Sequence, residues 1–231
     1  MRLMFAIIGY FFCLGFAHGI ITFTDTHSGT IWSYEKDRDG IRLIPDDGKP
    51  CCSPVPEGRL VIPGDFNGVP VYSIGDRSFL GCSKIERVEI PDSVKFIGES
   101  SFEQCHGLIE VVILSSITSR DENNDFCQRR IGRAAFAYCE RLTRFDFCDG
   151  LIEIGCEAFM GCNSLKSVYL PDSLIALDPS AFCFCDALES VSLGRFVQSD
   201  LIWPFPGCEN ICNAISLNEL CSEEMYHLCL T

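Results

Sequence analysis

Residues 158–174 read AFMGCNSLKSVYLPDSL, and the pattern of this stretch recurs along the chain. Six phenylalanines are each followed three residues later by a cysteine. Four of the five steps between successive phenylalanines are 23 residues long, and the fifth is 34. The pairs are Phe79 and Cys82, Phe102 and Cys105, Phe136 and Cys139, Phe159 and Cys162, Phe182 and Cys185, and Phe205 and Cys208. A fixed period in this range predicts a solenoid, in which each repeat packs on its neighbours.

The residues after each cysteine predict one short strand per repeat. The segment IERVEI at 85–90 is apolar at its first, fourth and sixth positions, and its last three residues alternate as in a half-buried strand. A turn of Pro-Asp-Ser follows at 91–93, where proline ends the strand and Asp and Ser supply turn hydrogen bonds. Val94 and Ile97 then begin a return segment, and Gly98 allows a bend or a close backbone approach.

This unit resembles the BspA-like, or treponemal-type, leucine-rich repeat, whose consensus is approximately A-F-x-x-C-x-x-L-x-x-I-x-L-P-x-S-V-x-x-I-G. The resemblance covers roughly residues 58–217, and residues 60–75 resemble the first repeat of that family. It implies an α/β repeat solenoid with short parallel strands and repeats of ~23 residues, mostly strand and turn with little helix. By analogy it also implies an interaction role at a surface or outside the cell.

Two departures mark irregular places in the solenoid. Cys148-Asp149-Gly150 stands where two other repeats have Pro-Asp-Ser, and the long step contains an insertion at 118–128. The insertion is polar, and long excursions from a solenoid are usually surface loops, which often carry function. Its acidic residues match no defined calcium-binding loop.

The domain organisation follows from the repeat and from the first residues of the chain. Residues 1–19 contain Arg2, an apolar run and small residues suited to cleavage, which predicts a secretory signal peptide. An uncleaved membrane anchor is the alternative, although the apolar run is short for a membrane span. We expect an N-terminal cap segment at 20–57, the solenoid at 58–217, a C-terminal cap or tail at 218–231, and a secreted or cell-surface location.

The chain contains 16 cysteines, and an exported protein would by default form disulfides. The six repeat cysteines lie between core positions, where a small apolar side chain packs well, and their parallel Cβ vectors suit a disulfide poorly. We therefore expect buried thiols there. Nine others can pair, with one bridge expected within the last three: Cys51, Cys52, Cys127, Cys148, Cys156, Cys183, Cys212, Cys221 and Cys229.

The sequence contains no signature of catalysis, of a cofactor or of a metal site. Phosphate-binding glycine loops and the common hydrolase motifs are missing, and no CxxC pair accompanies the few histidines. Cys105 and His106 are adjacent, but the repeat predicts that the thiol points inward and the imidazole outward. The net charge of −14 argues against nucleic acid and anionic membranes as partners. We expect no cofactor and no membrane contact beyond the signal segment.

The outward side chains of the stacked strands are the candidate binding residues. They form two neighbouring columns, and a third, less coherent column lies on the return segments. Tyr and Arg are favoured anchors in protein recognition, although an ordinary solvated sheet face has the same pattern. The candidate binding residues are Arg87, Glu89, Glu110, Val112, Arg144, Asp146 and Tyr169, with Ser167, Ser190 and Ser192 in the same columns, and the third column is Phe96, Arg130, Glu153 and Ala176.

Three functional hypotheses remain open from the sequence. The first is a non-catalytic, secreted or cell-surface protein that binds a protein or glycan through its strand face and insertion. The second is a passive structural module, or one that associates with itself. The third, for which the repeat gives no supporting site, is an exported enzyme or thiol-reactive protein.

Overall fold

The computed structural model describes residues 20–114, 128–192, 205–208 and 210–211. The elements in these ranges are β-strands apart from helical residues 210–211, and the predicted repeat solenoid of short parallel strands is confirmed. Within the described ranges, no helical segment has the length and apolar character that a membrane crossing needs. The strands are β1 (Ile21–Thr24), β2 (Ile31–Lys36), β3 (Ile41–Leu43), β4 (Cys52–Ser53), β5 (Gly58–Val61), β6 (Asp65–Phe66), β7 (Val69–Ile74), β8 (Ile85–Ile90), β9 (Phe96–Ile97), β10 (Glu110–Ile113), β11 (Arg129–Ile131), β12 (Arg144–Phe145), β13 (Leu151–Ile154), β14 (Ser167–Tyr169), β15 (Ala176–Leu177) and β16 (Ser190–Ser192).

Most of the described repeats contribute one strand to each of two walls. The first wall contains the parallel strands β5, β8, β10 and β12 in that order, followed by a separate parallel pair, β14 and β16. The second wall is a return sheet in which β3, β7, β9, β11, β13 and β15 are neighbours and run parallel. The apolar side chains of both walls point into one continuous core.

The N-terminal segment closes the open end of this core. β1, β3 and β4 pair antiparallel with β2, while β3 pairs in parallel with β7. The return sheet therefore extends one strand further towards the N-terminus than the predicted solenoid boundary at residue 58. Trp32 is buried and lies edge-on against Phe79 with ring centroids 6.4 Å apart, so it covers the first ring of the repeat core.

The six repeat phenylalanines form one column of rings, which together with the six cysteines we call the Phe-Cys ladder. All six rings are buried, and successive centroids lie 4.9, 5.2, 5.4, 5.0 and 5.4 Å apart. Phe102 and Phe136 are 34 residues apart in sequence, yet their rings are 5.2 Å apart and nearly parallel. The insertion therefore leaves the stacking of adjacent repeats intact.

The cysteines of the Phe-Cys ladder are free thiols in the structure and are buried with the rings. From Cys105 onward, each Sγ–H donates to the backbone carbonyl of the ladder phenylalanine in the preceding repeat. A thiol is a weak donor, but it fills a small apolar site and leaves no unpaired polar group there. The Sγ to oxygen distances are 3.2 Å for Cys105 to Phe79, 3.2 Å for Cys139 to Phe102, 3.3 Å for Cys162 to Phe136, 3.1 Å for Cys185 to Phe159 and 3.0 Å for Cys208 to Phe182.

The segments around the ladder phenylalanines, which we call the turn edge, form a third hydrogen-bonded wall. The Phe136 N–H donates to the Ala158 carbonyl over 2.8 Å, and the Tyr138 N–H donates to the Met160 carbonyl over 2.7 Å. Equivalent bonds join most of the other steps. The residue two positions after each ladder phenylalanine is left-handed, with φ between 58° and 76°, in Gly81, Gln104, Tyr138, Gly161, Phe184 and Gly207.

Arg129 is buried at a core position of the return sheet, opposite Leu151. Its guanidinium forms an ion pair with the Asp92 carboxylate and donates to the Val94 carbonyl over 3.3 Å and to the Asp92 carbonyl over 3.1 Å. Nη1 also lies 3.1 Å from the Sγ of Cys148, the residue that replaces proline in its turn. Burial raises the pKa of this thiol, and the nearby guanidinium opposes that rise. Arg129 thus joins turns of different repeats beside the insertion.

The glycine that follows four of the return strands, at positions 75, 98, 132 and 155, is required by close contact between repeats. A Cβ added to Gly132 would lie 2.9 Å from the carbonyl carbon of Gly98, and one added to Gly98 would lie 2.7 Å from the backbone nitrogen of Asp76. Both contacts are with backbone, which cannot move aside as a flexible side chain can. The close backbone approach that the sequence predicts at Gly98 is present.

Phe159 contacts four other aromatic rings, those of Phe136, Phe145, Phe147 and Phe182. We expect Phe159→Ala to lower the free energy of unfolding by ~3–5 kcal/mol, because the neighbouring turns cannot collapse into the space. Urea unfolding would measure this loss. Phe184→Ala is the matched control: its side chain is exposed, and it should change stability by less than about 0.5 kcal/mol. Equal losses in the two variants would contradict the stacked core.

Candidate binding face

The outward side chains of β5, β8, β10 and β12 lie in two rows across the first wall. Residues of the first row are direct partners in the strand register, and those of the second row follow two residues later. The register thus matches the columns expected from the sequence and extends them by one strand, β5. We call this surface the strand face: Arg59, Arg87, Glu110 and Arg144 in the first row, and Val61, Glu89, Val112 and Asp146 in the second.

Glu89 binds two arginines that face each other and would otherwise repel each other. Arg59 and Arg87 are direct partners on neighbouring strands, a placement that is unfavourable for like charges. The Oε1 of Glu89 accepts from Nε of Arg59 over 2.9 Å and from Nε of Arg87 over 3.0 Å. Its Oε2 accepts from Nη2 of Arg59 over 2.8 Å, which completes a bidentate pair.

The same pattern continues across the next two strands. Glu110 accepts from Nη1 of Arg87 through one oxygen and from Nη1 of Arg144 over 3.2 Å through the other. Arg144 in turn donates from Nε to Asp146 over 3.1 Å. Three guanidinium groups and three carboxylates therefore form one continuous chain, which we call the ion-pair row.

The carboxylates of the ion-pair row lie beneath the arginines. The exposed fractions of the carboxylate side chains are 10% for Glu89, 20% for Glu110 and 35% for Asp146, whereas those of Arg59, Arg87 and Arg144 are 64%, 40% and 64%. Glu89 thus lies in the outward column that the sequence predicts, but it is covered by the arginines and does not face solvent. Arginine side chains are longer than glutamate side chains, so two of them close over the carboxylate that they both bind.

The charges of the ion-pair row stabilise one another. Hydrogen bonds from Arg59 and then from Arg87 lower the pKa of Glu89 below its ordinary value, against the opposing effect of desolvation. The same contact raises the pKa of Arg59. Glu89 therefore stays ionised, and the geometry of the two guanidinium groups is fixed before any ligand binds.

Tyr169 lies in a different sheet from the ion-pair row. It lies on β14, which pairs with β16 so that Tyr169 and Ser167 face Ser192 and Ser190, and its side chain is largely exposed. The described strands of the first wall are interrupted between β12 and β14. At this step Phe145 occupies a position that is valine in other repeats, and its ring packs edge-on between the rings of the Phe-Cys ladder.

Comparison with known protein families assigns the chain that presents this strand face to a family. The model of the BspA-type leucine-rich repeat region matches in six copies, over residues 67–128 and 129–226. The chain belongs to the BspA-type leucine-rich repeat family. No curated protein matches the chain.

Solved structures agree with this BspA-type assignment. A leucine-rich repeat protein of T. pallidum has 29% sequence identity and a TM-score of 0.60, over 78% of this chain and 77% of its own. A leucine-rich cell surface protein of Faecalibacterium prausnitzii has 27% identity and a TM-score of 0.55, over 77% of this chain and 44% of its own. A leucine-rich repeat protein of Bacteroides ovatus has 26% identity and a TM-score of 0.55, over 87% and 46%. This BspA-type chain thus spans less than half of the last two proteins.

Two features of the BspA-type surface were not predicted from the sequence. Arg59 belongs to the strand face, and extending the repeat alignment backwards through the first repeat would have found it. Tyr138 and Phe184 place their side chains on the turn edge at the left-handed position where three other repeats have glycine. Each ring lies over the glycine of the next repeat, since added Cβ atoms at Gly161 and Gly207 would lie 2.9 and 2.6 Å from them.

The remaining candidates make no catalytic arrangement in the described part of the BspA-type chain. Cys105 is buried, while the His106 side chain is half exposed and lies 3.8 Å from Glu140. No group of three or more His, Cys, Asp or Glu side chains in the described ranges is placed to hold a metal ion. The third column occurs in register, because Phe96, Arg130, Glu153 and Ala176 are successive partners in the return sheet.

Several expectations fall outside the described residues. They concern the signal peptide at 1–19, all but the last residue of the insertion at 118–128, the tail at 218–231, and the possible disulfide partners Cys127, Cys212, Cys221 and Cys229.

Glu89→Gln tests whether the ion-pair row is held by charge. At pH 7 we expect a loss of roughly 1–2 kcal/mol in the free energy of unfolding, because two opposed guanidinium groups lose their shared counter-charge. The folded pKa of Glu89 is lowered, so its contribution is complete above the ordinary carboxylate pKa of about 4.3 and is lost as the pH falls below it. Urea unfolding at pH 7, 5 and 3 should show that the difference in free energy of unfolding between Glu89→Gln and the parent chain becomes smaller as the pH falls.

Glu153→Gln is the control for this prediction, because Glu153 is paired with Arg130 at an exposed site of the return sheet. It should change stability by less than about 0.5 kcal/mol at every pH. A Glu89→Gln difference that is absent, or equally large at pH 3, would contradict the proposed electrostatics.

Proposed function

We propose that this chain is an exported, non-catalytic binding module that recognises a protein ligand through the strand face. Membership of the BspA-type leucine-rich repeat family supports a binding role. The similar F. prausnitzii protein is described as a cell surface protein, and residues 1–19 have the pattern of a secretory signal, which together support a secreted or cell-surface location.

The ion-pair row is the observation that carries this proposal. Binding is costly when long side chains must be immobilised at the interface, and that cost falls when they are already ordered. Here the guanidinium groups of Arg59, Arg87 and Arg144 are each held by hydrogen bonds to carboxylates. Arginine and tyrosine are enriched at the energetic centres of protein interfaces, and Tyr169 lies exposed on the same wall of the solenoid.

A photo-crosslinking residue at position 112 should capture the ligand of the strand face. Val112 lies in the second row of that face, between Glu89 and the strand that carries Arg144. Ile175 is the control position, since it is highly exposed and lies next to strand β15 of the return sheet. We expect mass spectrometry to identify one partner crosslinked from position 112 and not from position 175.

Binding of the identified partner should then depend on the strand face. Arg87→Glu, Arg144→Glu and Tyr169→Asp should each raise the Kd at least about tenfold, which is ~1.4 kcal/mol. Arg133→Glu on the turn edge is the control, because Arg133 is an exposed arginine that is also ion-paired. Unchanged affinity in all three variants would contradict the proposal, and crosslinking of the chain to itself would favour a self-associating module instead.

A further inference from the structure

The strand face presents positive groups on a strongly acidic protein. The chain carries 32 acidic and 18 basic residues, with a net charge of −14. In the ion-pair row, however, the arginines are exposed and the carboxylates lie beneath them. A ligand that approaches this surface therefore meets guanidinium groups first, although the row as a whole is neutral.

Each of these arginines retains donors that no described residue uses. A guanidinium has five N–H groups in a planar fork. Among the described residues, the bonds made by Arg59 come from Nε and Nη2, and those made by Arg87 and Arg144 come from Nε and Nη1. One terminal nitrogen of each side chain thus has no acceptor within that part of the chain. The N–H groups of that nitrogen can each donate to an oxygen of a ligand carboxylate, and such charge-assisted hydrogen bonds are stronger than neutral ones.

The three arginines are distributed over four strands of the strand face. They lie in one row on β5, β8 and β12, and Glu110 on β10 occupies the place between the last two. Neighbouring strands are about 4.8 Å apart, so three steps cover ~14 Å, which an extended segment of four or five residues spans. Val61 is exposed and Val112 half-buried in the adjacent row, which offers apolar contact along the same path.

We propose that the strand face binds an extended acidic polypeptide segment whose carboxylates pair with Arg59, Arg87 and Arg144. This inference rests on the proposed function and names the chemistry of the ligand. An acidic polysaccharide would supply carboxylates too, but it has no apolar side chains for Val61 and Val112. Alternating acidic and apolar residues in a peptide suit both rows of the face.

The test uses a fluorescently labelled peptide of five Glu-Val units, with anisotropy read in 150 mM salt so that remote charges are screened. We expect saturable binding of this peptide and none of the matching Lys-Val peptide. Arg59→Gln and Arg144→Gln should each weaken binding at least about tenfold, and Arg144→Lys should fall between, because lysine keeps the charge without the fork. Arg130→Gln and Arg133→Gln should bind as the parent chain does.

Thermal unfolding checks that each variant is folded. If a glutamine variant does not fold, Arg144→Lys still tests the inference. The inference would be overturned if the Glu-Val peptide did not bind, if it bound all variants equally, or if oligogalacturonate bound more tightly through the same arginines. If the crosslinked partner still depends on Arg144 while the peptide neither binds nor competes with it, the proposed function stands and the acidic ligand is wrong. If Arg144→Glu leaves partner binding unchanged, the strand face itself is not the site.

Discussion

Every turn of this solenoid places a phenylalanine ring directly on the ring of the turn before it. The centroid spacing of 4.9–5.4 Å is close to the spacing of hydrogen-bonded strands, so the rings and the two walls can share one pitch. The cysteine three residues later fits because it is small and apolar and still satisfies the carbonyl of the phenylalanine below it. A fixed pitch and a fixed inward side chain together determine which residues of the strands point outward.

The strand face is a consequence of that repetition combined with variation in sequence. Stacking at one pitch brings Arg59 and Arg87 opposite each other, which would be unfavourable alone. Glu89, two residues further along β8, offsets this repulsion by accepting hydrogen bonds from both arginines. Glu110 on the next strand does the same for Arg87 and Arg144. The outcome is an ordered surface whose carboxylates are covered and whose arginines are accessible. Arg129 is a contrasting case, a buried charge paired with Asp92 beside the insertion.

The sequence predicted the features that depend on repeated side chains. The period identified the solenoid, and the alternation after each cysteine located Arg87, Glu110 and Arg144 in one column, which the strand register matches. It did not predict the backbone hydrogen bonds of the turn edge, because they leave no side-chain pattern. The burial of Glu89 depends on the conformations of two arginines from other repeats. Arg129 was missed because an arginine next to Arg130, at the end of a polar insertion, suggests a surface residue.

The reactivity of the ladder thiols tests the central account most directly. Burial raises the pKa of Cys82 to about 11 and raises that of Cys105, Cys139 and Cys162 as well, so these groups stay protonated and unreactive at pH 8. Peptide mapping after alkylation of the purified chain should find these four cysteines unmodified in the native protein and fully modified in guanidinium chloride. The partly exposed Cys156 serves as the internal control and should react in both conditions. Ladder cysteines that alkylate in the native state, or that are joined by disulfides, would contradict the Phe-Cys ladder.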